Sequence, residues 1–219
     1  MAKPKLICLD RDGTIIRDEN YYLGSSPNWR RQIEFLPEVI RGIRLLDTLK
    51  DSYIFILTNQ SGVALLGGNF DSLTEERMHE VNKYILRRLN ALGAHVRGYF
   101  ACPYVSSDYS EKAKRKGRIV DPKYIDDNCE DLKPRIGMIK KAAESLGMTY
   151  KKMDVFVVGD RISDLELALN GGGIGILVPS EKTIELGDMK KAKEMMSANP
   201  HKILIVRSFF NAASLIETF

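Results

Sequence analysis

The chain has 219 residues, 44% hydrophobic and 28% charged, enough for one substantial core, since a domain of this size buries about 70% of its unfolded surface. No apolar run approaches the roughly 20 residues of a membrane span, no secretion-signal core opens the sequence, and three cysteines are too few for a disulfide framework. A cytoplasmic, reducing setting without a membrane partner is therefore expected, while a net charge of +4 fits phosphorylated substrates without excluding much else.

In chain order, Lys5 to Leu9 is an apolar run broken at once by Asp10, Arg11, Asp12, Gly13 and Thr14. Runs bounded this way read as buried strands, and open α/β sheets bind ligands at the carboxyl ends of their strands. A turn at Gly13 lets Asp10 and Asp12 converge on one reacting group, one attacking while the other carries the proton. On this segment alone, a solvated Asp-Gly turn is an equal alternative. Residues 19–31 follow before any helix and are rich in aromatics and turn formers. A helix from Pro37 to Leu49 places Val39, Ile43 and Leu46 on one face.

Tyr53 to Leu57 is the second strand, stopping at Thr58, Asn59, Gln60, Ser61 and Gly62. A helix over Ser72 to Leu92 and a strand over His95 to Phe100 come next. Ala101 to Asp131 shows little regular pattern, and loops this long are usually functional or disordered. Within it, Lys112 to Arg118 concentrates five cations in seven residues with neither helical nor strand period. That run reads either as a solvated loop or as a device for capturing a phosphate or a nucleic-acid backbone. Lys133-Pro134 precede a helix from Arg135 to Leu146.

Asp154 to Val158 forms a further strand ending at Gly159, Asp160 and, four residues on, Asp164. A helix over Ile162 to Leu169, strands over Gly173 to Val178 and Lys202 to Val206, and a helix from Ser208 to Glu217 complete the pattern. Gly171 to Gly175 lies after a helix and before a strand, the reverse of a dinucleotide fingerprint. His79, His95 and His201 match no metal spacing, and Met195 and Met196 read as core. The alternation predicts an α/β fold, a doubly wound, Rossmann-like, mainly parallel sheet of about six strands. It also predicts a single domain, 1–219, with no large cap.

Four motifs in this order, DxDGT from Asp10 to Thr14, a strand-end Thr58, Lys133, and GDxxxD from Gly159 to Asp164, resemble the haloacid dehalogenase superfamily of phosphohydrolases. The resemblance covers roughly the whole chain. The pairing of Leu9-Asp-Arg-Asp-Gly-Thr14 with Thr58-Asn-Gln-Ser-Gly62 is similar to the branch holding heptose bisphosphate, histidinol and polynucleotide 3′-phosphatases. It implies Asp10 as nucleophile forming an aspartyl-phosphate, and Asp12 as acid and then base. Thr58 and Lys133 become catalytic partners on the phosphoryl group, with Asn59, Gln60 and Ser61 binding substrate. It implies Mg²⁺ held by Asp10, Asp160, the backbone carbonyl of Asp12, and Asp164 as a ligand or orienter. It also implies a hairpin flap over residues 19–31, where Tyr21, Tyr22 and Trp29 exclude water; a surface loop anchored by Trp29 is the alternative.

Charge counting supports the cation. Four aspartates and a phosphate dianion repel one another, by about 4 kcal/mol per unit pair at 4 Å and an effective dielectric near 20, so Mg²⁺, Lys133 and a proton on Asp12 are needed together. Departures from the branch bear on the substrate. Tyr104 and Asp131 stand where it carries a zinc-binding histidine and cysteine, leaving Cys102 and Cys129 as the remaining zinc candidates and disfavouring zinc. Leu132, and the stretch Val63 to Leu66, replace two of its phosphate-gripping arginines. The expected reaction is hydrolysis of a small phosphorylated metabolite: a sugar phosphate, a heptose bisphosphate-like or a histidinol phosphate-like compound. A nucleic-acid 3′-phosphatase is the runner-up and a non-catalytic phospho-ligand module the third reading, with monomer or homo-oligomer left open.

Overall fold

A computed structural model describes residues 3–18 and 22–219; the expected flap residue Tyr21 lies outside them. Six strands, β1 (Lys5–Leu9), β2 (Ser52–Asn59), β4 (Gly98–Cys102), β6 (Asp154–Gly159), β7 (Ile174–Leu177) and β8 (Ile203–Ile205), form one parallel sheet. Its order is β4-β2-β1-β6-β7-β8. Two short strands, β3 (Leu65–Leu66) and β5 (Ile119–Val120), pair antiparallel as a separate ribbon.

Period-two alternation gives each face of the sheet its own core. Ile7 and Leu9 of β1 point with Ile54, Ile56 and Val158 toward α1 (Val39–Asp47), α2 (Glu75–Ala91) and α8 (Phe209–Glu217). Leu6 and Cys8 point the other way, with Phe55, Leu57 and Val157, toward α4 (Gly137–Glu144) and α5 (Ile162–Asn170). Each fully buried aliphatic side chain contributes roughly 1.5–3 kcal/mol relative to exposure. Leu9 stands in register with Ile56 and Val158, so β1, β2 and β6 all end at one edge, and the polar residues following them meet there.

Strand and helix positions match the hydrophobic pattern closely at these elements; three segments differ. The third strand begins at Gly98 rather than His95, because the Val96 N–H donates to Asn90 Oδ1 (2.9 Å) and holds this stretch in the turn after α2. The basic run expected to lack regular structure is the end of a helix, α3 (Ser107–Arg115). Ser106 Oγ caps it by accepting the Tyr109 N–H (3.1 Å), and Asp108 pairs with Lys112 one turn on. Only Ala113 on it is buried, too little apolar surface to print a helical period. Finally, α6 (Glu181–Glu185) and α7 (Asp188–Ala198) occupy a stretch with no predicted element, and Met195 and Met196 pack half-buried at its small core.

The described part of the expected flap, 22–31, consists of turns leading into a 3₁₀ helix at Trp29–Gln32, so over these residues it is not a strand-paired hairpin. Trp29 is wholly buried in the main core, edge-on to Tyr84 at 5.4 Å, and anchors the segment instead of covering the site. No helix of the described residues is long and apolar enough to cross a membrane.

Candidate active site

The strand ends open into a cavity of about 720 Å³ lined by Asp10, Asp12, Thr58, Asn59, Gln60, Ser61, Lys133 and Asp160. Lys133, 123 residues from Asp10 in sequence, is the centre of its floor: Nζ donates to Asp10 Oδ1 (2.5 Å), Asp164 Oδ1 (2.7 Å) and the Leu57 carbonyl (3.1 Å). All three of its donors are thus used. Burial alone would lower its proton affinity, but the Asp10 and Asp164 carboxylates outweigh that and hold it well above an ordinary lysine. Its main chain is fixed as well, because Asn59 Oδ1 accepts the Lys133 N–H (3.1 Å) and Asn59 Nδ2 donates to the Lys133 carbonyl (3.3 Å). The Asn59 amide, expected to donate to substrate, is engaged in positioning Lys133.

Asp160 and Asp164 reach the same floor through two glycines. Gly13 has φ +80°, and a Cβ there would lie 2.4 Å from Asp160 Oδ2; one on Gly159 would lie 2.2 Å from Asp164 Oδ2. Side chains at either position would push the carboxylates apart. Ser180 Oγ donates to Asp160 Oδ2 (2.5 Å), and Thr183 Oγ1 donates to the Asp160 carbonyl (2.6 Å). Asp160 Oδ1 is buried with no hydrogen-bond partner. Asp164 differs, since its Oδ2 accepts the Arg161 N–H (3.1 Å) at the start of α5 while Oδ1 takes Lys133. It is an orienter and helix cap more than a free ligand.

Asp10, Asp160 and Asp164 offer oxygens within 4.8 Å of one another, the one such group of three or more His, Cys, Asp or Glu residues among those described. Burial, then the Asp164 charge, push Asp160 up to about 7. Burial also pushes Asp10 well up, against the pull of Lys133. A buried carboxylate oxygen without a partner is strongly unfavourable, so Asp160 Oδ1 and the excess negative charge fit a cation. An all-oxygen donor set suits Mg²⁺; Asp10 and Asp160 are the side chains that would hold it, beside the Asp12 carbonyl that the resemblance implies. Zinc lacks its donors: among the described residues Cys102 and Cys129 belong to no group of three ligating side chains, Tyr104 packs against Tyr124 at 5.9 Å, and Asp131 gives Oδ2 to Lys141 while its Oδ1 is buried without a partner.

Asp12 is held by Arg11, which no motif marks, and by Gln60, expected to bind substrate and engaged here instead. Arg11 Nε and Nη2 donate to its two oxygens (3.0 and 2.8 Å), and Gln60 Nε2 donates to Oδ2 (2.8 Å). Arg11 is 2% exposed and also binds Asn82 Oδ1 (3.0 Å) and Gln60 Oε1 (2.8 Å). Nothing in a lone arginine between two aspartates signals burial; Asn82, on the inner face of α2, is the only hint. Gln60 Nε2 also donates to Thr58 Oγ1 (2.8 Å), which leaves the Thr58 hydroxyl proton free to point at a ligand. Ser61 lines the cavity together with Tyr109 of α3.

The outer wall comes from the insertion. Lys112, Lys116 and Arg118 line the same cavity as Lys182 and Arg161. Arg118 donates to the Tyr22 hydroxyl (2.6 Å), and Tyr22 meets Phe70 edge-on at 4.9 Å. Lys182 closes one side by pairing with Asp18 at 2.5 Å.

Comparison with known proteins agrees with this geometry. A HAD-hydrolase-like family model matches residues 132–206. Among characterised proteins, the D-glycero-beta-D-manno-heptose-1,7-bisphosphate 7-phosphatase of Pseudomonas putida is 32% identical over 187 residues, 84% of this chain and 89% of that protein. The chain belongs to the haloacid dehalogenase superfamily. The Rhodopseudomonas palustris phosphatase of the same name is 32% identical over 164 residues, 75% of this chain and 77% of that one. The fold of this haloacid dehalogenase phosphatase is similar to the crystal structure of D,D-heptose 1.7-bisphosphate phosphatase from B. bronchiseptica, complexed there with magnesium and phosphate. The TM-score is 0.66, at 22% identity and 98% coverage of each chain.

Proposed function

We propose that residues 1–219 act as one Mg²⁺-dependent phosphatase domain for a small phosphorylated sugar carrying a second anionic group. The supporting observation is the convergence of Asp10, Lys133, Asp160 and Asp164 beneath a wall bearing Lys112, Lys116 and Arg118. These cations lie in the same cavity as the nucleophile and stand in for the arginines replaced by Leu132 and by the Val63 to Leu66 stretch. Relatives named for heptose 1,7-bisphosphate make a bisphosphorylated sugar the first substrate to test.

In this reading Asp10 attacks phosphorus in line while the phosphorus bond to the sugar oxygen breaks, giving an aspartyl-phosphate. Lys133 occupies Oδ1, which leaves Oδ2 as the attacking oxygen. Mg²⁺, when bound, supplies positive charge to the phosphoryl oxygens. Thr58 donates its hydroxyl to one of them, and Asn59 keeps Lys133 in place. Asp12 turns away from Arg11 and Gln60, takes up a proton from solvent and passes it to the departing sugar oxygen, then takes a proton from the water that cleaves the intermediate. Tyr22 and Arg118 narrow the mouth against bulk water. Three free cysteines suit a cytoplasmic setting.

Phosphate release with Mg²⁺ across sugar monophosphates, sugar bisphosphates, histidinol phosphate and 3′-phosphorylated oligonucleotides tests the proposal. Bisphosphates are expected to give the highest kcat/KM. Replacing Lys112, Lys116 and Arg118 together by alanine should lower it about tenfold or more for bisphosphates and leave monophosphates nearly unaffected. Preference for the oligonucleotides would transfer the assignment to nucleic-acid ends, and release from none of them would overturn it.

A further inference from the structure

Cys102 at the end of β4 and Cys129 in the insertion, 27 residues apart, bring their sulfurs to 3.7 Å. Cys102 is buried and Cys129 half-buried. They lack the third and fourth ligands of a zinc site, so their proximity calls for another explanation. Each is tied to a different part of the active-site floor. The Cys102 carbonyl accepts the Gln60 N–H (2.7 Å), and Cys102 stands in register with Asn59. The Cys129 carbonyl accepts the Leu132 N–H (3.2 Å) and Arg135 Nη1 (3.2 Å), on either side of Lys133. Between the two lies the Asn59 to Lys133 clasp described above.

We propose that Cys102 and Cys129 are a redox-sensitive dithiol that closes to an intramolecular disulfide under a peroxide and thereby shifts the Gln60 loop against the Lys133 turn. Closing the bond brings the sulfurs from 3.7 Å to about 2.05 Å, an approach of more than an ångström that side-chain rotation and the backbones beside Gln60 and Lys133 share. Cys129, the more accessible sulfur, attacks a peroxide oxygen as its thiolate; the O–O bond breaks, giving a sulfenic acid and hydroxide, which takes up the thiol's proton as water. The Cys102 sulfur then attacks the sulfenic sulfur, and the hydroxyl leaves with the Cys102 proton as a second water. Two thiols lose two electrons and the peroxide gains them. Burial pushes the Cys102 thiol up to about 12, consistent with Cys129 reacting first. Cys8, the remaining thiol, is fully buried inside β1.

The structural half of this proposal is independent of the enzyme's substrate; the effect on turnover rests on the phosphatase reading above. Purified protein treated with stoichiometric hydrogen peroxide should lose about 2 Da as a monomer and yield a peptide joining Cys102 to Cys129. Its kcat should fall severalfold, and dithiothreitol should reverse both changes. Cys129→Ala should show neither the link nor the reversible loss. Sulfinic acid at Cys129 without a link, or a linked dimer, would overturn the dithiol. A complete internal link with unchanged kcat would overturn its hold on the active site. The mass readout stands even if no phosphate is released from any substrate.

Discussion

Arg11 and Asp12, adjacent in sequence, form a two-pronged ion pair of 3.0 and 2.8 Å in which the arginine is buried and the aspartate faces the cavity. The pair sets the resting position of the residue assigned proton transfer. Arg11→Lys keeps the charge but loses the planar fork and leaves Asn82 and Gln60 short of a donor. Stability should fall by about 1–3 kcal/mol and kcat by tenfold or more, read from urea unfolding and steady-state kinetics. Unchanged kcat would mean that Arg11 supports the fold alone.

Lys133→Met removes the cation paired with both Asp10 and Asp164 on a floor of three buried carboxylates. Breaking a buried ion pair by deleting one partner costs about 3–5 kcal/mol. The variant should unfold at markedly lower urea and turn over at least a hundredfold more slowly, even at saturating substrate. Asp10→Asn should be far better folded and still inactive, by about three orders of magnitude or more. The contrast between the two separates charge balance from nucleophilicity.

Asp160 is raised to about 7 from the ordinary 3.8, so between those values the native state binds a proton that the unfolded chain does not. The stability this provides is complete below about pH 4 and is lost as pH rises through about 7. The raised Asp10 acts in the same direction. Mg²⁺ competes with these protons, so the gain in Tm on adding it should be larger at pH 8 than at pH 5.5. Calorimetry in Mg²⁺ against EDTA at both values checks this; equal gains would place the metal elsewhere.

Gly13→Ala tests the backbone requirement directly. With φ +80° and Asp160 Oδ2 2.4 Å from the added carbon, the substitution strains the turn and displaces the carboxylate together. A stability loss of about 1–3 kcal/mol is expected, with a weaker Mg²⁺ effect on Tm as the specific sign of a moved Asp160. Gly67, also at positive φ but with no atom within 4 Å of an added Cβ, is the control: Gly67→Ala should affect stability alone.

Much of this protein was written in its linear order. Apolar runs of four or five residues inside strands of five to eight, alternating with helical patterns, read as buried parallel strands, and the polar residues that end them then meet at one sheet edge. Asp10, Thr58, Lys133, Asp160 and Asp164 were therefore identifiable as one site, because strand ends and helix starts are local signals. What local signals do not carry is who pairs with whom. Asn59 reads as a donor for substrate, yet folding brings it to the Lys133 main chain 74 residues away. Arg11 carries no sequence signal of burial, yet Asn82 and Gln60 take it inside.

The basic run shows the same division. Its charge was plain in the sequence, but its place at the cavity depended on a helix cap at Ser106, a two-residue ribbon of Leu65–Leu66 with Ile119–Val120, and the Tyr22 hydroxyl. The sequence by itself determined the parallel α/β fold, since hydrophobic period is a short-range property, and it carried the phosphoryl chemistry as four motifs whose order resembles the haloacid dehalogenase superfamily. Only the tertiary structure decided the orientation of Asp12, the part played by Asn59, the cationic wall of the cavity and the meeting of Cys102 with Cys129. Those are contacts between residues 27 to 96 positions apart in most cases, and chain order does not encode such distances until the core has closed around them.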